Sequence, residues 1–386
     1  MEILDGKTPL EVAGTSNMDM LATEGTLGIF KSVPEGYPPG SDVANLSILG
    51  YDPKKYYTGR SPLEAASIGV ELGPEDVAFR CNLVSLSKND DSDEIIMHDY
   101  SAGHISTEEG GDIMESLNKE LSEFDITFYK GTSYRHLMVW HGGKEKIELT
   151  PPHDISDRSV EGHLPTGDGA QTLLEIMEAS QKVLFNHPVN EKRRAEGKNT
   201  ADSVWLWGHG RAPVMETFEE KYKISGSMIS AVDLMNGMGI YAGLEVLDVP
   251  GMTGYIDTNY AGKVEYALNS LKEKDFVCVH VEAPDEAGHQ GSLPHKLQAI
   301  EDFDAHVVGK MIDGARKLGD FNMLVLPDHY TPVELKTHTS EPVPFVLFKS
   351  REAKEGAKKR GFTEKEANAS GVVMEDADQL SKEFFS

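Results

Sequence analysis

Residues Asp275 to Gly291 read DFVCVHVEAPDEAGHQG, in which an apolar, β-branched run typical of a strand buried on both faces passes straight into Asp285 and His289. The acid and the imidazole stand in a D-x-x-x-H spacing suited to metal ligation. Further along, NMLVLPDHYTP repeats the design: an apolar strand ends in Asp328 and His329, and His338 follows as another candidate ligand. Two such strand ends imply a pair of divalent metals.

Open α/β sheets bind ligands at the carboxyl ends of their strands, where both acidic motifs lie. Carboxylate with imidazole suits manganese, zinc and similar ions. Two ions roughly 3.5 to 4 Å apart are the usual apparatus for clamping a phosphoryl group during in-line displacement, so phosphoryl transfer is the chemistry expected. An Asp-His pair behind a strand also serves as a turn or a cap. Two of them together favour metal.

The chain has 386 residues, enough for about two or three domain-sized units with a sizeable core. No apolar stretch approaches the roughly 20 residues needed to cross a bilayer, and no basic-then-apolar leader follows Met1, so neither a membrane segment nor secretion is expected. Cys81 and Cys278 each lie inside an apolar strand-like run, where a thiol packs as a small hydrophobe; a reducing cytoplasm fits. With 37 basic against 64 acidic side chains the formal charge is -27, which argues against nucleic acid or an anionic membrane as partner. An anionic substrate then needs metals and a few placed Arg and Lys residues to reverse the field locally.

Strands and helices alternate along the chain with Gly and Pro at their ends, the pattern of a layered α/β protein. TLGIFKSV, DVAFRCNLVSL, ITFYKG, YRHLMVW, VWLW and FVCVHVEA read as strands. KNDDSDE reads as an acidic hairpin-like turn, ISTEEGGDIMESLNKEL as a helix, TPPHDISD as a loop, and a long helix closes the section near Gly169 to Phe185. The polar stretch NEKRRAEGKNTAD reads as a linker. The division expected is therefore a discontinuous catalytic domain, 1–74 with 201–386, and an inserted domain, 75–200. From Pro294 to Leu318 the residues Leu297, Ile300, Phe303, Val307, Val308, Met311 and Ile312 fall on one helix face that covers the sheet; His295 and His306 follow that periodicity and read as structural.

A phosphoryl carrier needs an oxygen nucleophile close to the metals. The loop-to-helix junction PPGSDVANLSILGYDP offers Ser41, at a helix start where main-chain N–H groups face anions and behind a glycine that permits close approach. Serine there is also a preferred helix cap. In the inserted section GHIS contains His104, SYRH contains Arg135, and PPHDISD adds His153 and Asp154 where strands meet loops. Such groups serve proton transfer and anion recognition. Arg80, Arg211 and Lys263 are further cations; the plain reading of Lys263 is a solvated position on the helix after NYAG.

The strings PEGYPPGSDVANLSILGYDP, YTGRSPLEAASIGVELGP, WLWGHGRAP, VDLMNGMGIYAGL, VPGMTGYIDTNYAGK, HVEAPDEAGHQG and LPDHYTPVELKTHTSEPVPF resemble the archaeal-type cofactor-independent phosphoglycerate mutases, which also have bacterial members. The resemblance spans essentially the whole chain. It implies an alkaline phosphatase-like layered α/β/α domain with an inserted smaller α+β transferase-like domain, and substrate held between them. It implies Ser41 as the phosphorylated nucleophile and metal ligand, Asp328 and His329 as ligands of one metal, and Asp285, His289 and His338 as ligands of the other. His104 and Arg135 would handle substrate, joined by His153, Asp154, Arg211 and Lys263. The implied reaction interconverts 3-phosphoglycerate and 2-phosphoglycerate with two divalent ions, Mn²⁺ first and Mg²⁺, Zn²⁺ or Co²⁺ as alternatives, and without 2,3-bisphosphoglycerate.

One departure stands out. Members of that family begin with an additional apolar strand ending in a G-D-G-M-x-D-like motif, whose aspartate ligates the same metal as the serine; the sequence here opens just after it, and Asp5-Gly6 is not that motif. A shortened version of a longer product is the expectation. Two other activities share the same apparatus: phosphotransfer to an amino-acid alcohol, as in relatives resembling homoserine kinases, and phosphomonoester hydrolysis. No G-x-x-x-x-G-K-[ST] nucleotide loop is present.

Overall fold

The mostly apolar, partly buried runs FVCV and NMLV sit at the ends of two separate sheets in one of the chain's two units. The computed structural model describes residues 4–89, 92–354 and 357–386. The chain divides into Met1–Tyr57 with Val214–Ser386, and Thr58–Pro213.

In the first unit, Phe276–Val279, Gly226–Ile229 and Glu245–Val246 form a parallel three-stranded sheet with Gly226–Ile229 in the middle. A second sheet runs Asn322–Val325, Val343–Lys349, Thr26–Phe30, Val373–Met374, antiparallel at its first two pairings and parallel at the last. The expected helix 294–318 is two α-helices, Leu293–Asp302 and Gly309–Leu318, joined by a π-helical turn, Phe303–Val308. Val307 and Met311 pack with Ile229 and Val249, whereas Val308 and Ile312 pack with Leu21, Val325 and Phe348. The π turn carries buried Asp304, whose carboxylate accepts from Asn17 N at 3.1 Å and Met18 N at 2.7 Å. Those donors open the helix Ser16–Glu24, whose preceding Thr15 makes no side-chain cap, so the aspartate satisfies N–H groups that would otherwise be orphaned. His295 is tied to the Tyr255 hydroxyl at 2.6 Å, and the His306 ring leans on Tyr260; both are structural, as their periodicity suggested.

In the second unit the long strand Val77–Lys88 is central. Arg135–Trp140 pairs along one edge and Ser203–Gly210 along the other, with Ile95–Asp99 on its far end and Ile126–Thr132 outermost, all antiparallel. Helices Thr107–Glu120 and Ala170–Phe185 lay Ile113, Leu117, Leu173 and Ile176 against Phe79, Leu83 and Trp205. The first of these helices starts on a capping box of Ser106 and Glu109. The tip of the expected acidic turn, residues 90 and 91, lies outside the described residues.

Three expectations change here. The limits near Glu75 and Thr200 fall inside this unit, because the helix Ser61–Ser67 packs on its sheet: Ala65 meets Ala78, Leu137 and Val139, and Ser61 Oγ donates to Gly208 O at 2.5 Å. Gly59, at φ +119°, lets the chain touch the sheet; a Cβ there would stand 2.2 Å from His209 O. The polar stretch after His187 is not a linker but a helix, Pro188–Ala195, with Asn190 and Arg193 buried. Asn190 bonds Leu184 O, Ala201 O and Ala201 N; Arg193 bonds Glu109, Ala102 O and Asn199 O, so its polarity is spent inside. TPPHDISD holds a 3₁₀ turn, Pro152–Ile155, rather than an open loop. Among the described residues no helix is long and apolar enough to cross a membrane.

Candidate active site

Six of the residues singled out in the sequence meet at one end of the first unit. Gly40 caps the helix Ser41–Ile48 in extended conformation, and Ser41 is its first residue. Its hydroxyl makes no cap; Ser41 Oγ lies 2.9 Å from His329 Nε2, so the capping reading fails and the side chain is committed to the acid–imidazole cluster.

Asp328 and His329 follow the Asn322–Val325 strand. The Asp328 carboxylate accepts from Asn45 Nδ2 at 2.9 Å and from His329 N at 3.0 Å, while Ser32 Oγ donates to its main-chain carbonyl at 2.6 Å. His329 is almost wholly buried, which lowers its basicity. Asp285 sits in the helix Ala283–His289 and receives a short hydrogen bond from Thr331 Oγ1. Burial alone would raise the Asp285 carboxyl, but hydrogen bonds from His338 and Thr331 and the nearby His289 hold it well below the usual range. For His338 burial is again outweighed: Asp285, Pro39 O and Asp328 raise it.

The tautomers of two histidines follow from their partners. His338 Nδ1 lies 2.8 Å from Pro39 O and His289 Nδ1 lies 3.1 Å from Lys336 O. A carbonyl only accepts, so each Nδ1 carries the proton, and in the neutral rings each Nε2 presents a lone pair. Those two Nε2 atoms are 2.9 Å apart, with Asp285 Oδ2 3.2 Å from the first-named partner, His289, and Asp285 Oδ1 3.4 Å from His338. Facing lone pairs beside a carboxylate are the donor set of a cation, and ring N–H groups held by carbonyls are the usual support of histidine ligands. Asp285, His329 and His338 offer ligand atoms all within 4.8 Å of one another. His329 therefore adjoins the Asp285 group as well as its own Asp328, whose Oδ2 is 3.4 Å from His329 Nε2.

Behind the cluster lie His280 and Lys296, which the sequence reading passed over, and Lys263, which it read as solvated. His280, at the end of the Phe276–Val279 strand, bonds Ser230 Oγ at 3.0 Å and Glu282 at 3.3 Å; burial pushes it down to about 4, so it is a neutral wall facing the carboxylates. Lys263 is not solvated. Fully buried, it donates to His280 O at 2.8 Å, and burial lowers it to about 8. Lys296 donates to Pro284 O at 2.7 Å and Thr331 O at 3.4 Å, tying together the two segments that carry the candidate ligands. His280 could have been found from its place at a strand end; nothing in the helical pattern marks Lys296.

The second unit gathers the other candidates around a chain of rings. His104 stacks edge-on to Tyr134, Tyr134 to Tyr100, Tyr100 to His153, and His153 to Trp207, with centroids 5.2 to 6.2 Å apart. The Arg135 guanidinium lies 5.5 Å from the Tyr134 ring and Arg80 lies 4.1 Å over Trp207. Ala102, Gly103 and His104 all have positive φ, a strained turn held by Asp99, whose carboxylate accepts from Ser101, Gly103 N and Asn199. Asp154 flanks His153 at 3.7 Å. Arg80 belongs to this patch more clearly than its sequence suggested, since its strand position looks like core. Arg211 does not. Its guanidinium is consumed by Glu75, Glu145, Pro74 O and Gly143 O.

Comparison with known proteins follows the same line. The profile of the family described as 2,3-bisphosphoglycerate-independent phosphoglycerate mutase matches residues 22–190. A probable 2,3-bisphosphoglycerate-independent phosphoglycerate mutase of Geobacter sulfurreducens is 56% identical over 380 residues, covering 98% of this chain and 94% of the relative. The 2,3-bisphosphoglycerate-independent phosphoglycerate mutase of Methanosarcina acetivorans is 51% identical, covering 91% of this chain and 87% of its own length. Among solved structures, the PH0037 protein from Pyrococcus horikoshii superposes with a TM-score of 0.80 at 30% identity, covering 100% of this chain and 92% of that one. The cofactor-independent phosphoglycerate mutase from Thermoplasma acidophilum shares the fold, with a TM-score of 0.63 at 24% identity over 100% of this chain and 96% of that one.

Proposed function

Because the chain belongs to the 2,3-bisphosphoglycerate-independent phosphoglycerate mutase family, we propose that it interconverts 3-phosphoglycerate and 2-phosphoglycerate through a phosphoserine at Ser41. The observation that carries this reading is the 2.9 Å approach of Ser41 Oγ to His329 Nε2, with Asp328 beside it and Asp285, His289 and His338 adjoining. Ser41, Asp328 and His329 would hold one divalent ion and Asp285, His289 and His338 the other. Manganese is the ion proposed first for this mixed carboxylate and imidazole set, with Mg²⁺, Zn²⁺ and Co²⁺ as alternatives. Such ions, when bound, neutralise phosphoryl charge and stabilise attacking and leaving oxygens.

Ser41 Oγ forms a bond to phosphorus as the bond from phosphorus to one glycerate oxygen breaks, and the freed glycerate oxygen takes up the serine proton. The glycerate reorients, its other hydroxyl attacks the phosphoserine, and Ser41 regains a proton. Within the second unit, Arg135 and Arg80 carry the charge suited to a carboxylate or phosphate, and His104, His153 and Asp154 carry groups suited to bonding hydroxyls. Lys263 and Arg211 act at one remove: the first anchors the His280 carbonyl and the second clamps a loop. The enzyme family's place in sugar breakdown and synthesis fits a cytoplasmic setting.

An enolase-coupled assay with 3-phosphoglycerate and Mn²⁺ tests the reading. Wild type yields 2-phosphoglycerate, and Ser41→Ala lowers turnover by at least about 10³-fold and forms no phosphoenzyme. Full turnover in Ser41→Ala would exclude Ser41 as carrier; release of inorganic phosphate in place of 2-phosphoglycerate would identify a hydrolase.

A further inference from the structure

Three successive residues of the second unit, Ala102, Gly103 and His104, stand at φ +48°, +66° and +49°. One left-handed residue is ordinary in a turn; a run of three, two of them with a Cβ, stores strain that the surroundings must hold. The donors of this turn are all spent inward. Asp99 accepts from Ser101 N at 2.8 Å, Ser101 Oγ at 2.6 Å and Gly103 N at 2.7 Å, and its main-chain carbonyl accepts from Ala102 N at 3.5 Å. Ser101 Oγ accepts from His104 N at 3.1 Å and Ser101 O from Ile105 N at 3.3 Å. Curled N–H groups of this kind form a nest for an anion, and here the chain's own carboxylate fills it, so no main-chain donor is left for a ligand.

What the turn presents is one side chain. Ser101 and Ala102 are buried, and a Cβ on Gly103 would lie 3.1 Å from both Arg193 Nη2 and Asn199 Cβ. His104 is exposed, its ring edge-on to Tyr134 at 5.9 Å. The carbonyl side is closed by Arg193. Only 3% exposed, it donates from Nη2 to Ala102 O, from Nε to Asn199 O and from Nη1 to Glu109, each at 2.7 Å. Asn199 in turn donates to Asp99 at 2.8 Å, so a single guanidinium secures the turn directly and through the residue that fills its nest.

We propose that Arg193 and Ser101 are positioning residues for His104: they hold the left-handed turn that fixes the imidazole beside Tyr134, and they act on substrate only through it. This rests on the reading of His104 as a substrate-handling group. Reaching Ala102 O and Asn199 O at once takes the planar fork of arginine; lysine keeps the charge beside Glu109 but brings a single nitrogen. Small displacements of an orienting group are costly in rate, so a loosened turn is felt in turnover while the fold survives.

The test is a double-substitution cycle on the full chain with 3-phosphoglycerate and Mn²⁺, joined to NMR of the histidine ring protons, in which the resonance missing from His104→Ala identifies His104. Arg193→Lys is expected to lower kcat/KM about tenfold, as is His104→Ala, and the combined variant to lose no more than about twofold beyond His104→Ala alone. The His104 ring resonance, displaced by the Tyr134 ring, should move toward that of free histidine in Arg193→Lys. An arginine that serves the fold alone gives losses that multiply and leaves the His104 resonance in place; either result overturns the proposal. Wild-type kcat/KM in His104→Ala is a different failure: it removes the substrate reading of His104, and the proposal falls with it. Ser101→Ala, which deletes the hydroxyl between Asp99 and His104 N but keeps Arg193, runs through the same cycle with the same outcomes and decides the matter if Arg193→Lys does not fold.

Discussion

His289 and His338 point their Nε2 atoms at each other across 2.9 Å, each with its Nδ1 held by a main-chain carbonyl. Two neutral imidazoles resist that arrangement; a proton on His338, favoured by Asp285, or a bound cation resolves it. Divalent metal is therefore expected to stabilise the protein: Mn²⁺ at 100 times its dissociation constant adds about 2.7 kcal/mol. Calorimetry with and without chelator measures this, and His338→Ala should abolish most of the shift. Because Asp285 raises His338 in the metal-free site, protons compete with the ion, and affinity should rise with pH.

Arg135 and Arg211 separate binding from structure. Arg135→Ala should raise KM about tenfold or more with little change in melting temperature, since its guanidinium is stacked on Tyr134 rather than locked in the fold. Arg211→Ala should leave KM unchanged and cost about 1–2 kcal/mol, discounted because the group is partly exposed. Paired kinetic and urea-unfolding measurements decide; a KM effect at Arg211 alone would reverse the assignment.

The second unit should weaken in mild acid through His136. Burial, with Lys130 nearby, pushes this histidine down to about 4, and its Nδ1 accepts from Gly131 N at 3.0 Å. The unfolded chain takes up a proton near pH 6.5 that the folded state refuses until about 4. The stabilisation is thus complete above 6.5 and lost as pH falls toward 4, about 3 kcal/mol over that window. Replacing the ring by Asn, which keeps an acceptor for Gly131, should flatten the pH dependence of unfolding relative to wild type.

Asn190→Leu should cost about 3 kcal/mol in urea unfolding, because it leaves Leu184 O, Ala201 O and Ala201 N without their buried partner.

That asparagine also shows where sequence reading stops. That Asp285, His289, Asp328, His329 and His338 come together was legible because strand ends of one α/β layer converge, and strand ends show as an apolar run broken by polar residues. Ser41 was legible as a glycine-to-helix junction. The run from Asn190 to Asp202 misled because polarity was taken for exposure, while its amide and guanidinium groups are satisfied inside. Lys263 misled for the same reason. Arg80 was read only as a further cation, on a strand that looks like core, and Lys296 was passed over on an ordinary helix, since in both only tertiary neighbours reveal what the charge meets. The mixed α/β fold followed from the alternation of elements, but the pairing of strands did not, because partners are set by contacts far apart in the chain.

The π turn at Phe303–Val308 makes the long rod of the first unit a key with two bits cut at different angles. A π turn holds one residue more than the α path, so everything after it is rotated by about 100° relative to a continuous helix. Leu293–Asp302 and Gly309–Leu318 are thereby phased independently, and the extra residue sets which of Val307 and Val308 meets which core. Removing a single residue there would preserve helicity yet swing Met311 and Ile312 off their seats.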